Sequence, residues 1–80
     1  MKTAEPIIMY TRAGCHLCQQ AAALLDRACI PWRPVDIDDD AGLSDRYGLR
    51  IPVLRRSDTG SELNYPFDEA AVLQFSRAET

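Results

Sequence analysis

Ile7-Ile8-Met9-Tyr10-Thr11-Arg12-Ala13-Gly14-Cys15-His16-Leu17-Cys18 is the stretch on which the reading of this chain turns. It opens with a short, continuous apolar run at residues 7–10, as in a strand covered on both faces. Residues 11–14 break the pattern and read as a loop. From Cys15 the period changes. Leu17, Ala21, Leu24, Leu25 and Ala28 recur at helical spacing and form one face, with Gln19, Gln20, Asp26 and Arg27 off it. Pro31 stops the helix. The two cysteines of the Cys-x-x-Cys therefore fall where a strand passes into a helix.

Residues 32–37 read as a second strand, and Pro34 inside it cannot donate to a ladder, which argues for the sheet edge. Strand, helix and strand over this length form a βαβ unit with parallel strands. Residues 39–47 give a weaker helix. It pairs Leu43 with Tyr47, is weakened by Gly42, and is closed by Gly48 as its C-terminal cap. Residues 52–56 and 61–63 form an antiparallel hairpin across the turn at residues 57–60. A last helix starts at the N-cap Asp68, with Phe67 and Val72 at the two positions of a hydrophobic staple and Leu73 and Phe75 helping to bury it. The order β-α-β-α-β-β-α, with Cys-x-x-Cys at the first strand-to-helix junction, predicts an α/β thioredoxin-like fold: a four-stranded mixed sheet flanked by helices.

Composition narrows the function classes. Eighty residues make one domain, 1–80, and 46% apolar content is enough for a packed core. Residues 3–6 are polar or turn-like. The apolar run after them is too short for a signal-peptide core or a membrane span, so the expected address is the cytoplasm. The net charge of -3, with scattered basic residues, speaks against nucleic acid. Three cysteines make an odd set, unlike a secreted disulfide scaffold.

The chemistry follows from the thiolate being the nucleophile. A thiol at a helix N-terminus meets unpaired N–H groups and the positive end of the helix dipole, which favour its ionised form. Cys15 is placed for this. Cys18, one turn deeper on the same side, can reach its sulfur. Cys15 would attack a disulfide and Cys18 would resolve the mixed disulfide. Arg12 and a protonated His16 would add positive charge nearby; a solvent-facing His16 with no such role is the plainer reading. The rival reading, half a zinc site, finds only His16 and Cys29 to complete it. Cys29 reads as a small buried hydrophobe. On an unbroken helix it lies about 16 Å from Cys18 along the axis, too far for a disulfide, which needs Cα atoms within about 7 Å. The acidic run Asp36-Ile37-Asp38-Asp39-Asp40 fails as a calcium loop, because Ala41 and Tyr47 stand where glycine and glutamate belong. It reads as a solvated strand-to-helix loop whose last acids favour the helix start.

Tyr10-Thr11-Arg12-Ala13-Gly14-Cys15-His16-Leu17-Cys18, together with Arg50-Ile51-Pro52-Val53-Leu54, resembles the glutaredoxins, and particularly short glutaredoxin-like proteins of the thioredoxin superfamily. The resemblance covers nearly the whole chain. It implies a thiol–disulfide oxidoreductase with Cys15 as nucleophile and Cys18 as resolving thiol. It aligns Ile51-Pro52 with the family's cis-proline, which faces the thiols and lends its preceding backbone to an extended peptide or glutathione. Arg12 matches the family's basic residue, and Arg50, His16 and Asp68 complete the expected substrate-binding set. The chain departs from the family in having His-Leu between its cysteines. Asn64-Tyr65-Pro66-Phe67-Asp68 also replaces the Gly-Gly that helps hold glutathione. The expectation is therefore no metal and no tightly bound cofactor, with glutathione at most a weakly held reductant. The substrate would be a disulfide-containing protein or a small thiol compound, reduced by a monomer that draws electrons from a reductase or glutathione, with no membrane partner. An iron–sulfur or metal carrier using Cys15, and a non-catalytic thioredoxin-fold binding module, remain alternatives.

Overall fold

The structure, a computed structural model, describes residues 7–77. The turn-like reading of residues 3–6 lies outside them. Strand β1 (Ile7–Thr11) leads into helix α1 (His16–Arg27) and strand β2 (Trp32–Asp36). A 3-10 turn at Ile37–Asp39 precedes helix α2 (Ala41–Tyr47). Strands β3 (Val53–Arg56) and β4 (Glu62–Asn64) form the hairpin, and helix α3 (Glu69–Arg77) closes the fold. The strand order is β2-β1-β3-β4. β1 and β2 are parallel, with Ile7 opposite Trp32 and Tyr10 opposite Val35. The β1–β3 and β3–β4 pairs are antiparallel. The mixed sheet and its element order are those expected, and Pro34 lies on the edge strand as its missing N–H requires.

Alternation along β1 divides the core. Ile7 and Met9 join Cys18, Ala21, Leu25, Leu54 and Val72 on the side of α1 and α3. Tyr10 joins Ile37, Tyr47 and Val53 on the side of α2. The Tyr10 and Tyr47 rings stack at 4.2 Å, and Tyr47 donates from its hydroxyl to Glu62 Oε2 at 2.6 Å. That bond ties α2 to β4 and satisfies the one polar atom of a buried ring. Asp68 accepts from the Ala71 amide at 2.9 Å and so caps α3. Phe67 packs against the core cluster that contains Val72, the other staple position.

Three readings of the sequence need correction. Leu17 does not belong to the buried stripe of α1. The buried residues are Cys18, Ala21 and Leu25, and Leu17 is 45% exposed. At about 100° per residue Leu17 lies well to one side of that line, in the first turn of the helix. Gly48 does cap α2, but in the right-handed region. Its small size matters instead, because a Cβ there would come 2.6 Å from the Ser44 carbonyl oxygen.

The third correction is Cys29. The helix ends at Arg27, and Cys29 is an exposed free thiol in the left-handed region at φ 59°. The Ile30 amide donates to the Leu25 carbonyl and the Cys29 amide to that of Asp26, each at 3.0 Å. This is a Schellman closure, with Cys29 where glycine usually stands and with Ile30 buried near Leu25. A side chain in that conformation costs roughly 1–2 kcal/mol, and glycine's extra freedom when unfolded returns part of it. Cys29→Gly is therefore expected to stabilise the protein by about 0.5–1 kcal/mol, which urea unfolding checks. A destabilised Cys29→Gly protein would contradict the closure.

Candidate functional site

The loop at residues 12–14 turns because Gly14 adopts φ 79°, which a side chain would resist. The Cys15 amide bonds back to the Arg12 carbonyl at 3.2 Å. The turn delivers Cys15 to the N-cap of α1 in extended conformation, not to the first helical turn proper. Its Sγ accepts from the Cys18 amide at 3.1 Å. No acidic residue stands in the first turn of α1, so nothing there opposes negative charge on the sulfur. Cys15 and Cys18 are joined as a disulfide, with Cα atoms 5.2 Å apart. Cys15 is half-buried, while Cys18 is 3% exposed. One sulfur thus faces incoming groups and the other lies behind it.

The remaining candidates sit around this pair. His16 is exposed at the first position of α1. Ile51 packs against both core clusters, the Ile51–Pro52 bond is cis, and Pro52 is buried. Arg50 donates to Glu62 at 3.0 Å and Asn64 at 3.2 Å, with its guanidinium 5.1 Å above the Tyr47 ring. Arg12 forks onto Asp38 at 2.9–3.1 Å and reaches the Ser44 hydroxyl. Its hydrogen bonds hold the Asp38 carboxyl below the usual range. The Tyr47 hydroxyl, and after it Arg50, do the same for Glu62, while burial pushes the Tyr47 phenol up. Asp68 spends its carboxylate on the α3 cap. Arg12 lies beside Cys15, in the groove described next. Asp68 stands at the start of a different helix, α3.

The acidic run is a set of caps. Asp36 accepts from the Asp38 amide at 2.9 Å, and Asp40 accepts from the amides of Gly42 and Leu43. Among the described residues no three His, Cys, Asp or Glu side chains converge as a metal-binding set. No helix there is long and apolar enough to cross a membrane.

One feature was not visible in the sequence. A groove of about 540 Å3 runs between α1 and the edge strand β2, and both Cys15 and Cys18 line it. Its lining includes the apolar Met9, Ala22, Trp32 and Pro34 and the carboxylates Asp36 and Asp39. Trp32 lies opposite Ile7, and its indole N–H is held by Asp26 at 2.9 Å. Only the strand pairing brings residues so far apart in sequence together.

Fold and site together define a thioredoxin-like domain with a redox-type cysteine pair. The chain belongs to the glutaredoxin-like domain family (DUF836), whose model matches residues 6–75. It is similar to the structural-genomics target protein XcR50 from X. campestris. The X-ray structure of XcR50 is 43% identical with a TM-score of 0.81, covering 91% of this chain and 99% of that one. The solution structure of XcR50 gives 42% and 0.80, covering 94% and 97%. Protein Ne2328 from Nitrosomonas europaea is 28% identical with a TM-score of 0.71, covering 95% and 98%. No curated protein matches the chain.

Proposed function

We propose that this protein is a thiol–disulfide oxidoreductase acting by dithiol exchange in the cytoplasm. The observation that carries this reading is the Cys15 sulfur at the N-cap of α1, accepting the Cys18 amide. That position lowers a thiol pKa to roughly 3.5–7.5. The Cys15 thiolate attacks one sulfur of a substrate disulfide, that S–S bond breaks, and the first substrate thiolate leaves. Cys18, deprotonated, then attacks Cys15 Sγ and releases the second. Two electrons pass to the substrate and the Cys15–Cys18 disulfide remains. A thiol reductant, either a reductase or glutathione, returns the pair to the dithiol by the reverse exchange.

Arg12, Arg50, Ile51, Pro52 and Asp68 are assigned to substrate binding, with His16 at the rim. Glutathione is expected to be a weak ligand. Both guanidiniums that would meet its carboxylates are already held by Asp38 and Glu62. Pro66 has no N–H to offer, and Phe67 packs on the core.

The test is reduction of a disulfide-bonded peptide and of a glutathionylated peptide, coupled in parallel to glutathione and to a thioredoxin-type reductase. Reduction of the disulfide-bonded peptide, with one protein disulfide formed per disulfide reduced, is the expected result. Failure with both substrates and both reductants would overturn the proposal. Micromolar glutathione binding would overturn the part concerning glutathione alone.

A further inference from the structure

We propose that the groove between α1 and β2 is a subsite for a basic side chain, lysine or arginine, near the reacting cysteine of a polypeptide substrate. This rests on the oxidoreductase reading and names its substrate class. The groove touches both cysteines and lies on the β2 side of β1, whereas Ile51-Pro52 leads into β3 on the other side. A substrate running along the backbone of half-buried Ile51 with its cysteine at Cys15 would send neighbouring residues into this space.

Its chemistry suits a long cation. The apolar lining of Met9, Ala22, Pro34 and Trp32 can cover the methylene stem, as lysine and arginine stems lie along apolar surface with their heads in water. The Trp32 ring offers an aromatic face. Asp36 and Asp39 belong to the lining, Asp36 half-buried and Asp39 exposed. The cation of the rim, Arg12, is cancelled by Asp38. Asp36 gives one oxygen to a backbone amide, and Asp39 has no hydrogen-bond or ion-pair partner among the described residues. Asp36 also feels the Arg12 charge, but one guanidinium against three carboxylates leaves the groove with an excess of negative charge. Pro34 offers no N–H, so the edge is poorly made for strand pairing, and recognition falls to side chains.

The test uses three disulfide-linked peptides that differ only beside the cysteine: lysine, norleucine or glutamate. At low salt, kcat/KM is expected to fall in that order, with about tenfold between lysine and glutamate. The ratio should shrink toward one in Asp36→Asn/Asp39→Asn, in which asparagine keeps the Asp36 cap. It should persist in Asp45→Asn/Glu69→Gln, an equal charge change at two exposed positions that do not line the groove. It should also shrink at high salt. Equal rates for all three peptides, or a preference that survives the double variant, would overturn the subsite. Binding is read separately by NMR at the indole N–H of Trp32, the single tryptophan. Cysteine-free lysine and norleucine peptides are titrated into the oxidised protein. A lysine-selective shift without any exchange would keep the subsite and sink the oxidoreductase reading. Exchange without a lysine-selective shift would do the reverse.

Discussion

Cys15→Ser is expected to abolish disulfide exchange, whereas Cys18→Ser is expected to trap the substrate as a stable mixed disulfide. The asymmetry follows from where the two sulfurs sit. Cys15 is half-buried at the N-cap, with an amide N–H on its sulfur. Cys18 is 3% exposed within the α1 core cluster. A thiol of pKa about 8.5 is only about 3% ionised at pH 7, and one lowered to about 6 is about 90% ionised, a gain of roughly 30-fold in attacking species. Serine at Cys15 removes the nucleophile. Serine at Cys18 leaves attack intact and removes resolution, so the adduct accumulates. Mass spectrometry of the protein after one turnover checks both. In the reduced wild type, iodoacetamide should label Cys15 far faster than Cys18 at pH 7. Faster labelling of Cys18 would reverse the assignment.

The sequence made the order of elements readable because period changes are strong signals. The apolar run of β1, the helical spacing after Cys15 and the cap at Asp68 each specify their element locally. Pro34 even marked the sheet edge, since a missing N–H has few permitted places. What failed was what depends on a helix end or on distant pairing. Cys29 reads from the sequence as a small buried hydrophobe, but the Schellman closure stops the helix at Arg27 and leaves the thiol exposed. The Arg12–Asp38 and Arg50–Glu62 pairs, and the Trp32 wall of the groove, join residues that only the sheet brings together. The cysteine pair was legible for the opposite reason: a strand end, a glycine-bearing loop and a helix start are all local.

Leu25→Ala is expected to cost about 3 kcal/mol, within the 2–5 seen for buried leucine truncation. Leu25 is fully buried in the cluster that joins α1 to β1, β3 and α3 through Met9, Leu54 and Val72. It also sits at the turn where α1 closes, since its carbonyl accepts the Ile30 amide at 3.0 Å. Truncation removes apolar contacts and leaves a void that this close-packed junction cannot readily fill. A domain of this length has a total stability of about 4–12 kcal/mol, so the loss is a large fraction. At roughly 4–8 °C per kcal/mol, Tm should fall by about 12–24 °C. Leu49→Ala is the contrast, because Leu49 is fully exposed and its truncation should stay within about 0.5 kcal/mol. The same element orders the site, since the first turn of α1 supplies the Cys18 amide that faces the Cys15 sulfur. That turn lies at the far end of α1 from Leu25, so exchange by the variant well below its Tm should match the wild type and fail only as the protein unfolds. Thermal unfolding of both variants, with an exchange assay across the transition, checks the argument. A Leu25→Ala protein within about 1 kcal/mol of wild type would show that this residue is not the packing centre of its cluster.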